Sequence, residues 1–145
     1  MFGKRYIVAL LILFCFYAEA QDCLLGIGGN DAETIVDIFQ LNENQRTTMN
    51  TLQEELDIEI KGINEQIEKL LAEHPQSKDA DLIVLADKYK VLRQKILDAS
   101  YRCDKALLAT FNTKQYDRYL ELCREAIRRP IAIIPKTYDQ AGNPE

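Results

Sequence analysis

The 145-residue chain contains no tryptophan, one histidine, four prolines and six glycines. One histidine is too few for a metal centre built from imidazole ligands, and the low glycine and proline counts argue against a fibre. The net charge of −5 provides no basic field for duplex nucleic acid. With 47% apolar and 28% charged residues, the chain has the composition of one folded domain. We expect a protein that is not an enzyme and that uses no cofactor, metal or nucleic acid.

The first twenty residues have the order of parts found in a secretory signal peptide. Lys4 and Arg5 precede an uninterrupted apolar run of eleven residues, 7–17, and the residues 18–20 form a small-x-small site. The alternative is a membrane anchor, but eleven residues are fewer than the roughly 20 that a spanning helix needs. We expect cleavage before Gln21 and no stable membrane insertion afterwards.

Three cysteines remain after this cleavage: Cys23, Cys103 and Cys123. Exported proteins mature where disulfides persist. Cys103 and Cys123 lie on the apolar faces of consecutive predicted helices, whose connecting turn is centred near residue 112. In an antiparallel hairpin they would differ in height by about 3 Å. We predict a Cys103–Cys123 disulfide with Cys23 left over, and two buried, inert thiols are the alternative.

Hydrophobic periodicity predicts an all-α protein with two long and two shorter helices and no strand. A flexible lead-in, residues 21–30, is expected before the first helix, which Asn30 caps with Glu33 at the capping-box position. The helical domain is expected to cover residues 31–129. Residues 130–145 contain prolines and no periodicity, which predicts an extended or disordered tail.

The third predicted helix carries more apolar residues than one helix–helix contact needs. Successive residues turn by about 100°, so a second apolar set on this helix must point away from the first. We expect this set to form either a dimer interface or a surface that binds client proteins; its members are Ile83, Val84, Val91, Leu97, Tyr101 and Leu108.

Charge is divided unevenly along the chain. Residues 21–81 carry 14 acidic and 4 basic side chains, whereas residues 82–129 carry 6 acidic and 11 basic ones. The simpler interpretation is that an acidic second helix pairs with a basic third helix, within one chain or across a dimer. The alternative is a basic surface for acidic clients.

Two predicted helix starts have the same pattern, an apolar residue, an Asn that caps the helix and a Gln three residues later. These two boxes, Leu41–Gln45 and Phe111–Gln115, begin seventy residues apart. Their capping residues are Asn42 with Gln45 and Asn112 with Gln115. They resemble the LTxxQ box of the Spy/CpxP-like periplasmic proteins, with Asn for Thr in both boxes and Phe for Leu in the second. The resemblance covers about residues 31–129.

Membership of this family would imply a thin, curved, all-helical homodimer in the periplasm. Such proteins act as ATP-independent chaperones that shield unfolded envelope proteins, as modulators of envelope stress-response sensors, or as metal-responsive proteins. The His-rich segments of the metal-binding branch are absent here, and the acidic charge departs from the basic cradle of the best-known chaperone. The resemblance implies a chaperone of the holdase type, with a stress-response regulator or metal-responsive protein that binds one defined partner as the alternative.

Overall fold

The computed structural model describes residues 21–29 and 32–137. The predictions for the signal peptide, for Asn30 as a helix cap and for the tail from residue 138 onward lie outside the described residues.

Four α-helices make up most of this part of the chain. They are α1 (Ala32–Phe39), α2 (Glu43–Glu73), α3 (Asp79–Leu108) and α4 (Thr113–Glu125). Within the described residues there is no strand, only two isolated bridges. The predicted all-α fold with two long and two shorter helices is confirmed.

The two long helices pack along each other as a hairpin. Pro75 lies in the turn between them, where it stops α2 because proline has no backbone N–H to continue the helix. Residues spaced by about two helical turns fill the contact, among them Leu56 and Ile63 on α2 and Ala99 on α3, all buried.

The main hydrophobic core lies at one end of this hairpin. The lead-in, α1, α4 and the first tail residues surround the start of α2 and the end of α3 there, and we call this part the base. On the hairpin, the buried members of this core end at Leu56 and Ala99. We call the remaining hairpin, residues 57–98, the arm. Because the arm is only two helices thick, each helix buries one face and leaves the others exposed.

The lead-in, which we expected to be flexible, is packed onto the base over residues 21–29. The Ile27 side chain is fully buried, and the Cys23 N–H donates to the Arg129 carbonyl oxygen at 2.8 Å. An ion pair of 2.8 Å between Asp22 and Arg129 lies beside this bond. We expected flexibility because the segment is rich in glycine. The buried Ile27 side chain and the paired backbone groups hold it in place instead.

The first tail residues are extended and follow α4 back toward its start. Ile131 is buried, and its N–H donates to the Tyr119 hydroxyl at 2.8 Å, while its carbonyl accepts from the Tyr116 hydroxyl at 2.9 Å. Farther along, the Lys136 N–H donates to the Phe111 carbonyl at 2.9 Å. Two stacked tyrosines on α4 thus hold this segment against the base.

Candidate functional site

Both predicted capping boxes are present. The Asn42 side chain accepts from the Gln45 N–H at 2.9 Å, and the Gln45 side chain accepts from the Asn42 N–H at 3.0 Å. Asn112 and Gln115 repeat the arrangement at 2.9 and 3.0 Å. The predicted roles of these four residues are confirmed, because each box satisfies N–H groups that a helix start leaves unpaired.

The two boxes also bind each other, which the sequence analysis did not anticipate. The Gln45 amide donates to the Gln115 side-chain oxygen at 2.8 Å, and the Gln115 amide donates back at 2.9 Å. Each amide has one further acceptor, the Thr110 carbonyl for Gln45 and the Phe39 carbonyl for Gln115. Both glutamines are buried, and every donor and acceptor of the pair is used.

Aromatic and aliphatic residues shield this glutamine pair from water. Leu41 and Phe111, the apolar residues that begin the two boxes, are buried, and the Phe111 ring lies 5.0 Å from the Phe39 ring between centroids. The pair joins the end of α1, the start of α2, the end of α3 and the start of α4 at one point. Its place in the middle of the base indicates a structural role.

A buried carboxylate fastens the lead-in to α3. Asp104 is almost completely buried and accepts from the Gly26 N–H at 3.0 Å and from the Ile27 N–H at 3.3 Å. Burial raises the pKa of Asp104 above its ordinary value, although the backbone N–H groups act in the opposite direction. The sequence showed this residue only as one charge among many on a helix.

We expect Asp104→Asn to lower the free energy of unfolding by about 2 kcal/mol at pH 7, because one backbone N–H then faces an amide NH₂ group. The raised pKa adds a pH dependence. As the pH falls, Asp104 in the native state binds a proton before the same residue does in the unfolded chain, where its pKa is 3.8. Acidification therefore increases the contribution of Asp104 to the stability of the wild-type protein. The cost of Asp104→Asn should grow between pH 7 and pH 4 in urea titrations. A cost that shrinks on acidification would contradict a raised native pKa.

The predicted disulfide is wrong: Cys23, not Cys103, is bonded to Cys123. The helix α4 packs against α1 and does not run back along α3, so Cys123 faces the lead-in. The Tyr119 hydroxyl donates to the Cys23 carbonyl at 2.6 Å and helps to hold the lead-in there. Cys103 is a buried thiol that donates to the Leu52 carbonyl at 3.1 Å.

The Cys103 thiol is unreactive in this environment. Burial, with smaller contributions from nearby carboxylates such as that of Asp104, raises the pKa of the thiol to about 11. A thiolate is the reactive form, and very little of it exists at neutral pH with such a pKa. Cys103 is a packing residue of the base.

The six residues predicted to form a dimer or client surface divide into two groups. Leu108 is fully buried in the base, so its assignment to an exposed surface is wrong. Tyr101 is half-buried against the same core and keeps part of its surface exposed. The other four are exposed by 46–65% and lie on the arm: Ile83, Val84, Val91 and Leu97. The difference follows from their position, because only the base end of α3 is covered on more than one side.

The four exposed residues do not form a single stripe. Val84 and Val91 are seven residues apart and so share one side of α3, whereas Ile83 and Leu97 lie on another side. On the Val91 side, a groove of about 570 Å³ runs between α2 and α3 near the turn of the hairpin. We call it the tip groove; its lining includes Lys69, Leu70, Glu73, Lys88, Val91 and Leu92.

Few of the acidic residues of α2 form ion pairs with the basic residues of α3. Arg102 and Glu59 form an ion pair of 2.7 Å across the hairpin, with both side chains largely exposed. Among the described residues this is the one ion pair between α2 and α3. No lysine of the arm takes part in an ion pair with another described residue.

The chain matches no known protein family, no curated protein and no solved structure. In residues 21–29 and 32–137, no three His, Cys, Asp or Glu side chains group as a metal site would require. Over the same residues, none of the helices combines the length and hydropathy of a membrane span.

Proposed function

We propose that the protein is a periplasmic, ATP-independent chaperone of the holdase type, similar to the Spy/CpxP-like proteins, and that it has no enzymatic activity. The observation that carries this proposal is the group of eight large apolar side chains exposed on the arm among charged neighbours, which includes Ile83, Val84, Val91 and Leu97. Exposed apolar surface of this kind marks a site of interaction on an exported protein. A second copy of the chain and unfolded client proteins are the two partners that it would suit.

The construction of the base supports the proposal. A disulfide, a buried carboxylate and a glutamine pair join the segments of the base to one another, so the arm projects from a stable support. Disulfide formation also agrees with export to an oxidising compartment. The paired boxes are the part of the sequence on which the resemblance to this family rests.

The test is aggregation suppression by the protein that begins at Gln21, with light scattering of several unrelated denatured proteins as the readout. We expect suppression at near-stoichiometric ratios, and we expect Leu97→Asp or Val91→Asp to remove it while circular dichroism stays helical. Ile134→Asp is the control, because it also replaces an exposed aliphatic residue with aspartate, but in the tail and away from the arm.

Sedimentation of the same variants separates the two partners. Loss of suppression without a change in mass assigns the exposed residues to clients, and loss of a dimer assigns them to the interface. A wild-type protein that leaves all the denatured substrates to aggregate would contradict the holdase function.

The alternative function is an envelope stress-response regulator that binds one defined partner. The tip groove favours it, because a groove with charged residues above an apolar floor can discriminate among ligands. The two functions differ in the range of proteins that they bind. A regulator would leave unrelated substrates unprotected in the aggregation assay, whereas a holdase protects them.

A further inference from the structure

We propose that the tip groove binds apolar peptide segments that carry acidic side chains. This inference names the ligand class of the arm, so it rests on the proposed binding function. It is drawn from the shape of the groove, from its apolar floor and from the unpaired lysines on its two sides.

The groove has the size and lining of a binding site for a short peptide segment. Its volume of about 570 Å³ lies within the roughly 300–1,000 Å³ typical of ligand sites. Leu70 and Leu92 are half-buried in the floor, and Val91, exposed by 58%, lies at the side. Pro75 closes the end near the hairpin turn. Apolar side chains of a partner would remove this surface from water.

The charges around the groove select the partner. Lys69 on α2 and Lys88 on α3 both line it, and Glu73 is the one carboxylate in the lining. Neither lysine forms an ion pair with any residue in the described part of the chain. The single histidine, His74, already contacts the Pro75 carbonyl at 2.8 Å through its ring Nδ1. A carboxylate on the partner would pair with either lysine, whereas the lining offers a basic side chain only the Glu73 carboxylate.

The experiment uses three fluorescently labelled eight-residue peptides that alternate leucine with glutamate, glutamine or lysine. Their binding to the disulfide-intact protein that begins at Gln21 is followed by fluorescence anisotropy. We expect the glutamate peptide to bind about tenfold more tightly than the lysine peptide at low salt. A difference in affinity of this size is what two exposed ion pairs provide. High salt should reduce this preference, since exposed charges are screened.

Matched variants locate the site. Lys88→Glu should abolish or reverse the preference, whereas Lys90→Glu, an identical change on the same helix outside the groove lining, should leave it largely intact. Val91→Asp should weaken binding of all three peptides, and Val84→Asp, at an exposed valine outside the lining, should not. Equal affinities for the glutamate and lysine peptides, or equal effects of the two lysine variants, would overturn the proposal.

The two proposals fail in different ways. Aggregation suppression without any preference among the peptides would keep the holdase function and refute the selectivity of the groove. A preference for the glutamate peptide that depends on Lys88, in a protein that suppresses no aggregation, would support the groove and refute the holdase function.

Discussion

Reduction of the Cys23–Cys123 disulfide is expected to lower the free energy of unfolding by about 4 kcal/mol. The two cysteines are 100 residues apart, so the bond closes almost the whole described chain into one loop and removes much of the freedom of the unfolded state. Urea titrations with and without a reductant measure the effect. The double variant Cys23→Ser/Cys123→Ser should unfold at the lower stability in both conditions.

Cys103→Ser is the matched control for this experiment. It removes the thiol that is not bonded, so its stability should still fall on addition of the reductant by as much as that of wild type. A Cys103→Ser protein that no longer responds to the reductant would show that Cys103, and not Cys23, forms the bond. Peptide mapping without reduction gives the same answer independently.

Gln115→Ala is expected to cost about 3 kcal/mol of stability, well above the cost of an ordinary helix cap. The variant removes the pairing with Gln45 and leaves the Asn112 N–H and the Phe39 carbonyl without their partners in a buried place. Asn112→Ala, which removes only the cap, should cost about 1 kcal/mol. Gln66→Ala, at an exposed glutamine of the arm, should have almost no effect.

A double-mutant cycle tests whether the glutamines act as a unit. If Gln45→Ala already breaks the network, adding Gln115→Ala should cost much less than it does alone, with a coupling of about 1–2 kcal/mol. Strictly additive losses would mean that each glutamine acts only within its own box. In that event the two capping boxes would stabilise the base independently of each other.

The base contains the contacts that stabilise the fold, and the arm contains the exposed apolar surface. The disulfide, the Asp104 carboxylate and the glutamine pair all lie in the base, and each joins segments that are far apart in sequence. The arm has one buried contact between two helices and exposes apolar side chains such as Val91. Damage to the base should therefore appear as lost stability, and damage to the exposed arm as lost binding.

Local sequence patterns were sufficient to predict the helices and the positions of the two capping boxes. The spacing of apolar residues and the chain reversal at Pro75 gave two long helices and their hairpin. Asn42 and Asn112 were identifiable as caps because a capping box is completed within four residues. These features depend on neighbours in sequence, and for that reason they could be predicted without knowing the fold.

The tertiary structure alone decided which distant residues meet. We expected Leu108 and Val91 to belong to one apolar set outside the helix–helix contact, yet Leu108 is buried and Val91 is exposed, because the other segments of the base cover only one end of α3. The direction of α4 likewise decided that Cys123 meets Cys23. Helical spacing determines which side of a helix a residue occupies, but burial and pairing depend on what packs against that side.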